Sequence, residues 1–298
     1  MADDSLVVGG RKTFEYFEEI IPIRGCRLSL DEVKGVYREL SAINLKFGEQ
    51  IVTGLTREEG LNDEQWTKRK AFLLNNGFCL TVTVRGQSDV QLYGETEDIF
   101  SSSDLPKPIK TIYFNNITAF ARNASGENPI NRIEVTLDFG KPALLDPNPL
   151  VSEPTANNST VTINARETTY FRAVQKVVDS KLLNRRTWYS AIHRTFIYDL
   201  GMWLLALPIG LFFATNIMDK LLPLGSPFAA YKWAVFIYVL GISLIGYRLL
   251  VSYTKWAFPV NVLTDNKDTA WKHRTVLGTA VVWIGYKLVD AVWAIIWP

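Results

Sequence analysis

A chain of 298 residues with 32 Lys and Arg against 30 Asp and Glu is close to neutral, which argues against a broad nucleic-acid-coating surface. Two cysteines without CxxC spacing and only two histidines exclude a disulfide scaffold and leave too few ligands for a structural zinc site. The average hides two halves: residues 1–193 hold 23 basic and 25 acidic side chains, whereas residues 194–298 hold 9 and 5. Seven of the nine tryptophans (Trp203, Trp233, Trp256, Trp271, Trp283, Trp293 and Trp297) lie in the charge-poor half. The pattern predicts a soluble domain over residues 1–190 and a membrane domain over 191–298.

The N-terminal stretch MADDSLVVGGRKTFEYFEEI has no basic segment followed by an apolar one, so it does not read as a secretory signal and the first domain is expected in the cytoplasm. On that expectation Cys26 and Cys79 are reduced, buried thiols, and the sequons at Asn116, Asn123, Asn157 and Asn158 are chance matches. Residues 29–46 predict a helix. Ser29 and Glu32 have capping-box spacing, and Val33, Val36, Tyr37, Leu40 and Ile43 share a face. A second helix is expected over 62–74, with acids early and bases late. The period then changes to two. Residues 78–95 predict a hairpin, and 110–116, 131–140 and 159–166 predict three more strands. The Pro- and Asn-rich stretch KPALLDPNPLVSEPTANN is a loop. Residues 167–183 return to helical spacing, with Phe171, Val174, Val178 and Leu182 on one face. The expected class is α+β: an antiparallel sheet with flanking helices, followed by an all-α membrane region.

No P-loop, nucleophile elbow or metal-ligand spacing appears, so neither an enzyme nor a cofactor is expected. Lys68, Arg69 and Lys70 form a basic cluster, and Arg85, Arg122, Arg166 and Arg172 fall near strand or loop ends. Such groups suit a small anionic ligand. For any one of them an ordinary solvated surface is the favoured reading, since exposed Lys and Arg are the norm.

Three apolar stretches follow, at residues 196–218, 229–251 and 276–297, each near the roughly 20 residues that cross a bilayer. Pro208 and Gly210 mark a kink in the first. The third also fits a re-entrant or interfacial helix. Lys181, Arg185, Arg186 and Arg194 precede the first stretch, and Arg248, Lys255, Lys267, Lys272 and Arg274 lie between the second and third. This basic side is expected inside, which puts the first domain in the cytoplasm. The string KWAFPVNVL after the second stretch is expected to hold a short strand. The third stretch contains Lys287 and Asp290, three residues apart on a helix, with Thr279, Trp283 and Tyr286 on or beside the same stripe. Two readings stand. The charges pair and fix packing, or they line a water-filled path. Three helices cannot enclose a channel, so a path requires a cyclic homo-oligomer, a tetramer for instance.

The strings SLDEVKGVYREL, DLPKPIKTIYFNN, IEVTLDFGKP, PTANNSTVTINARETTYFRAVQKV and HRTFIYDLGMWLLALPIG, in this order, resemble bacterial membrane effectors of anti-phage defence systems, the Hailong membrane effector among them. The resemblance covers most of the chain and carries no catalytic signature. It implies a homo-oligomeric ion channel of the bacterial inner membrane. The implied regulator is a nucleotide or oligonucleotide made by a partner nucleotidyltransferase and bound by the cytosolic domain. Two rivals follow from the residues alone: a membrane-anchored binding or scaffold protein, and an enzyme at the membrane face.

Overall fold

The computed structural model of the chain describes residues 16–57, 59–144, 155–223, 225 and 227–296, with only part of the side chains near the C-terminus. Contacts divide the chain into two units. One comprises Met1–Ile23, Ser29–Asp138 and Asn158–Asn184, and the other Arg24–Leu28, Phe139–Asn157 and Arg185–Pro298.

The first unit opens with strand β1 (Phe17–Pro22); the short β2 (Arg27–Leu28) that follows belongs to the second unit. Helix α1 (Leu30–Gly54) starts where the capping box predicts. The Glu32 N–H donates to Ser29 Oγ at 3.1 Å, and the Ser29 N–H donates to the Glu32 carboxylate at 2.8 Å. The helix runs eight residues past its predicted end. Its buried face continues through Asn44, Phe47, Gly48 and Val52, and Ile43 is only half-buried. Helix α2 (Asp63–Gly77) has its own capping box, Asn62 with Gln65.

Strands β3 (Thr81–Gly86), β4 (Gln91–Gly94) and β5 (Ile109–Asn115) follow. Helix α3 (Ile117–Asn123), strands β6 (Arg132–Asp138) and β7 (Thr160–Ala165), and helix α4 (Thr168–Lys181) complete the unit. The sheet order is β1-β7-β6-β5-β3-β4, antiparallel throughout. The fold is thus α+β with an N-terminal antiparallel sheet. The sequence reading lacks two of these elements, β1 and α3.

Alternation decides the core. Val82, Val84, Ile112, Phe114, Ile133, Val135, Leu137, Val161 and Ile163 are buried, and their neighbours in sequence are mostly half-buried. The inward faces of α1 and α4 lie against each other through Phe47 and Tyr170, whose rings meet edge to face at 5.1 Å. A buried amide chain pins α1 to the sheet. Asn44 Nδ2 donates to the Phe78 carbonyl at 2.5 Å, and Asn116 Nδ2 donates to Asn44 Oδ1 and to the Asn131 carbonyl, both at 2.8 Å. Asn116 is 1% exposed, so this sequon has no surface to offer.

In the second unit, helix α5 (Thr195–Gly201) passes through a π-helical segment, Met202–Ala206, into helix α6 (Leu207–Leu221). Helix α7 (Lys232–Ala257) lies against α6. The contact face of α6 is small: Ala206, Gly210, Ala214 and Met218 are buried at intervals of four. A Cβ at Gly210 would sit 3.2 Å from Leu240 and Ser243, so the two backbones approach closely there. Residues Thr195–Leu221 and Lys232–Ala257 are two helices long and apolar enough to cross a membrane. Only 11% and 6% of their most apolar stretches are buried, unlike the core helices of a soluble protein.

Helix α8 (Trp271–Ile296) covers the third predicted stretch as far as residue 296; Trp297 lies outside the described residues. Between α7 and α8 the expected short strand forms as β8 (Val262–Leu263), parallel to β2. Around it the Cys26 N–H donates to Asn261 Oδ1 at 2.9 Å, and Asn261 Nδ2 donates to Asn157 Oδ1 at 3.0 Å. Both cysteines are free thiols. Cys26 is buried, which pushes its pKa up to about 12, and Cys79 is only half-buried.

Candidate functional site

The first unit holds a cavity of about 280 Å³, near the lower end of small-molecule sites. Three helices build it. The last turn of α1 supplies Ile51 and Leu55, and one face of α2 supplies Trp66, Arg69, Lys70 and Leu73. Helix α3 and the turn after it supply Phe120, Asn123, Ser125 and Glu127. Phe78, whose carbonyl is held by Asn44, forms part of the wall and meets Phe120 edge to face at 5.2 Å.

Helical geometry explains the α2 face. Arg69 and Lys70 lie three and four residues after Trp66, so all three project from the same side. Lys70 Nζ stands 5.2 Å from the centre of the Trp66 ring and donates to the Thr53 carbonyl at 3.5 Å, at the end of α1. The opposite wall depends on a sharp reversal after α3. Gly126 has φ +86°, open to glycine at no steric cost, and Ser125 precedes it at φ +52°. That turn carries Glu127 to the wall. The lining therefore combines an indole and two phenyl rings with two cations, one carboxylate and an amide. Such a set can stack a flat ring and hold an anionic group beside it.

Of the seven basic residues singled out by sequence, two meet here. Lys68 points elsewhere, its ammonium 2.7 Å from Glu64 one turn back on α2. Arg85 lies on β3 beside Gln91 of β4; with the Gln91 amide oxygen toward it, the bonds are 2.7 and 3.1 Å. Arg122 is held by the Glu95 carboxylate and donates to the Tyr93 hydroxyl at 2.9 Å, and these two partners raise its pKa above the ordinary value. Arg166 follows β7, where its backbone N–H donates to Asn131 Oδ1 at 3.0 Å. Arg172 donates to Gln175 at 2.7 Å and covers the Phe171 ring at 5.7 Å. Trp66, Phe78, Phe120, Asn123 and Glu127 were not singled out by sequence. The spacing of Trp66 from Arg69 and Lys70 is the one local signal that could have found the site.

Among the residues expected on an ion path, Thr279 is exposed and donates to the Thr275 carbonyl at 3.0 Å. Trp283 and Tyr286 are exposed on α8. Lys287 and Asp290 fall within the span of α8, and their side chains lie outside the described residues.

No family model matches the chain, and no curated protein or solved structure matches it either.

Proposed function

We propose that the chain is an oligomeric membrane effector whose soluble domain binds a nucleotide-derived ligand and whose helices form an ion channel under its control. What supports the ligand half is the cavity: an indole, Arg69 and Lys70 converge on one helix face, the combination that suits a base with its phosphate. What supports the membrane half is the pair of long apolar helices with outward apolar faces, Trp203, Trp233, Ile237 and Tyr238 among their exposed residues. In this reading α8 is a third span, Lys287, Asp290, Trp283, Tyr286 and Thr279 face the path, and a cyclic homo-oligomer, a tetramer for instance, closes it. The resemblance to anti-phage effectors supplies the setting. The soluble domain faces the bacterial cytoplasm, and opening the channel depolarises the inner membrane of an infected cell.

The ligand half is tested by titrating a short single-stranded oligonucleotide into the full chain in detergent and measuring heat. Arg69→Ala and Lys70→Ala are each expected to weaken binding about tenfold or more, as charged hydrogen bonds of roughly 1.5–3 kcal/mol are lost. Lys68→Ala is expected to leave affinity unchanged. Equal effects from all three would point to diffuse electrostatics rather than the cavity. No binding by the wild type would return the membrane-anchored scaffold as the better reading.

A further inference from the structure

The first apolar helix is broken at a defined place. Helix α5 ends at Gly201, the backbone widens into a π-turn over Met202–Ala206, and α6 begins at Leu207. The Leu207 N–H bonds to the Met202 carbonyl, five residues back rather than four. Pro208 accounts for the position. It has no N–H, and its ring crowds the carbonyl four residues earlier, at Leu204. A widened turn makes room for it.

Helix α7 braces the turn that precedes the break. The Tyr198 carbonyl, three residues before Gly201, accepts the Met202 N–H within the helix and also the Tyr247 hydroxyl at 2.9 Å. The two tyrosine rings lie 5.4 Å apart. The fit requires glycine at 201, because a Cβ there would collide with the Tyr247 hydroxyl. The next residue on α7 is Arg248, only 5% exposed, with its guanidinium 5.9 Å from the centre of the Tyr198 ring. Two successive residues of α7 thus grip the turn just before the break. The break itself is ungripped on its outer side, where Trp203, Leu204 and Leu205 are more than half exposed. A buried arginine in an apolar helix is costly, and a π-turn is rare; both are associated with function, and here they meet at one level of the helix pair.

We propose that this region is a hinge. The π-turn lets the segment after Ala206 change its angle to α5, and the Tyr247 hydrogen bond with the Arg248 stack holds one setting. The hinge rests on these two helices lying in a membrane. In the channel proposed above it would serve as the element that the gate turns on.

The test uses the full chain in lipid nanodiscs, with spin labels at Thr195 and Leu221 and the labelled chains diluted in unlabelled ones. A straight helix puts these positions about 39 Å apart. The wild type is expected to give one narrow distance distribution. Tyr247→Phe keeps the ring and removes the hydroxyl, and is expected to broaden or shift it by several ångströms. Adding Pro208→Ala, which lets the helix run straight, is expected to narrow it again. An unchanged, narrow distribution in Tyr247→Phe, at wild-type oligomeric state, overturns the hinge. Ion flux recorded on the same samples separates the two ideas. A shifted distance without flux in any sample keeps the hinge and removes the channel. Flux with an unmoved distance keeps the channel and removes the hinge.

Discussion

Lys68, Arg69 and Lys70 are adjacent in sequence and do different things. A helix turns about 100° per residue, so a run of three cations cannot share one neighbour. Lys68 meets Glu64 in solvent, a pair worth a few tenths of a kcal/mol at most, while Arg69 and Lys70 reach the cavity. Sequence reasoning could see that charge was concentrated there. It could not see the second wall, because Phe120, Asn123 and Glu127 lie some 50 residues away. His193 shows the same limit. In sequence it is one of two isolated histidines; in the fold it is buried, with Nδ1 2.8 Å from Thr155 Oγ1 and Nε2 2.7 Å from the Phe258 carbonyl. Burial holds its pKa below the ordinary 6.5, with Lys255 adding to the effect against the Phe258 hydrogen bond. The folded state therefore keeps it neutral. As pH falls below about 6.5 the unfolded chain takes up a proton that the folded chain resists, so stability declines from there to the folded pKa and levels off below it. Thermal unfolding of the full chain in detergent from pH 8 to pH 5 should show this decline. His193→Gln can keep both hydrogen bonds without titrating, and should flatten the part of the slope below pH 6.5.

Helix α1 was legible because its start is written locally: Ser29, Glu32 and a run of apolar residues at helical spacing. Removing the cap with Ser29→Ala should cost about 1 kcal/mol, whereas Lys68→Ala should stay within about 0.5 kcal/mol; chemical denaturation of the full chain measures both. The strands from β3 to β7 were legible for the same kind of reason, through alternation and β-branched residues. Strand β1 was not. FEEIIP carries two adjacent glutamates and ends in proline, and it becomes a strand by pairing with β7, about 140 residues later, at an edge where charge and proline are tolerated. Helix α3 is seven residues long, too short for periodicity to announce it. The first apolar stretch was legible as a helix long and apolar enough to cross a membrane, with an irregularity near Pro208. Its π-turn and the grip of Tyr247 and Arg248 were not, since they depend on how α6 and α7 pack.

The chain passes between its two units five times, at residues 23/24, 28/29, 138/139, 157/158 and 184/185. From sequence a single cut near residue 190 was drawn. Segments 24–28 and 139–157 are too short and too mixed in composition to betray where they belong. The consequence is covalent: β2 runs directly into α1, and the segment between β6 and β7 belongs to the second unit. In the proposed reading, a ligand held between α1, α2 and α3 would act on elements joined to the second unit at five places in the chain rather than by one tether. A ligand moves such a system only by binding one arrangement better than another. The measurement that tests this most directly is ion conductance across planar bilayers containing the full chain, recorded before and after adding the oligonucleotide. The wild type should show discrete currents whose open probability changes with the ligand, and Arg69→Ala with Lys70→Ala should conduct but ignore it. Silence of the wild type in both conditions, from correctly assembled protein, would contradict a ligand-controlled channel.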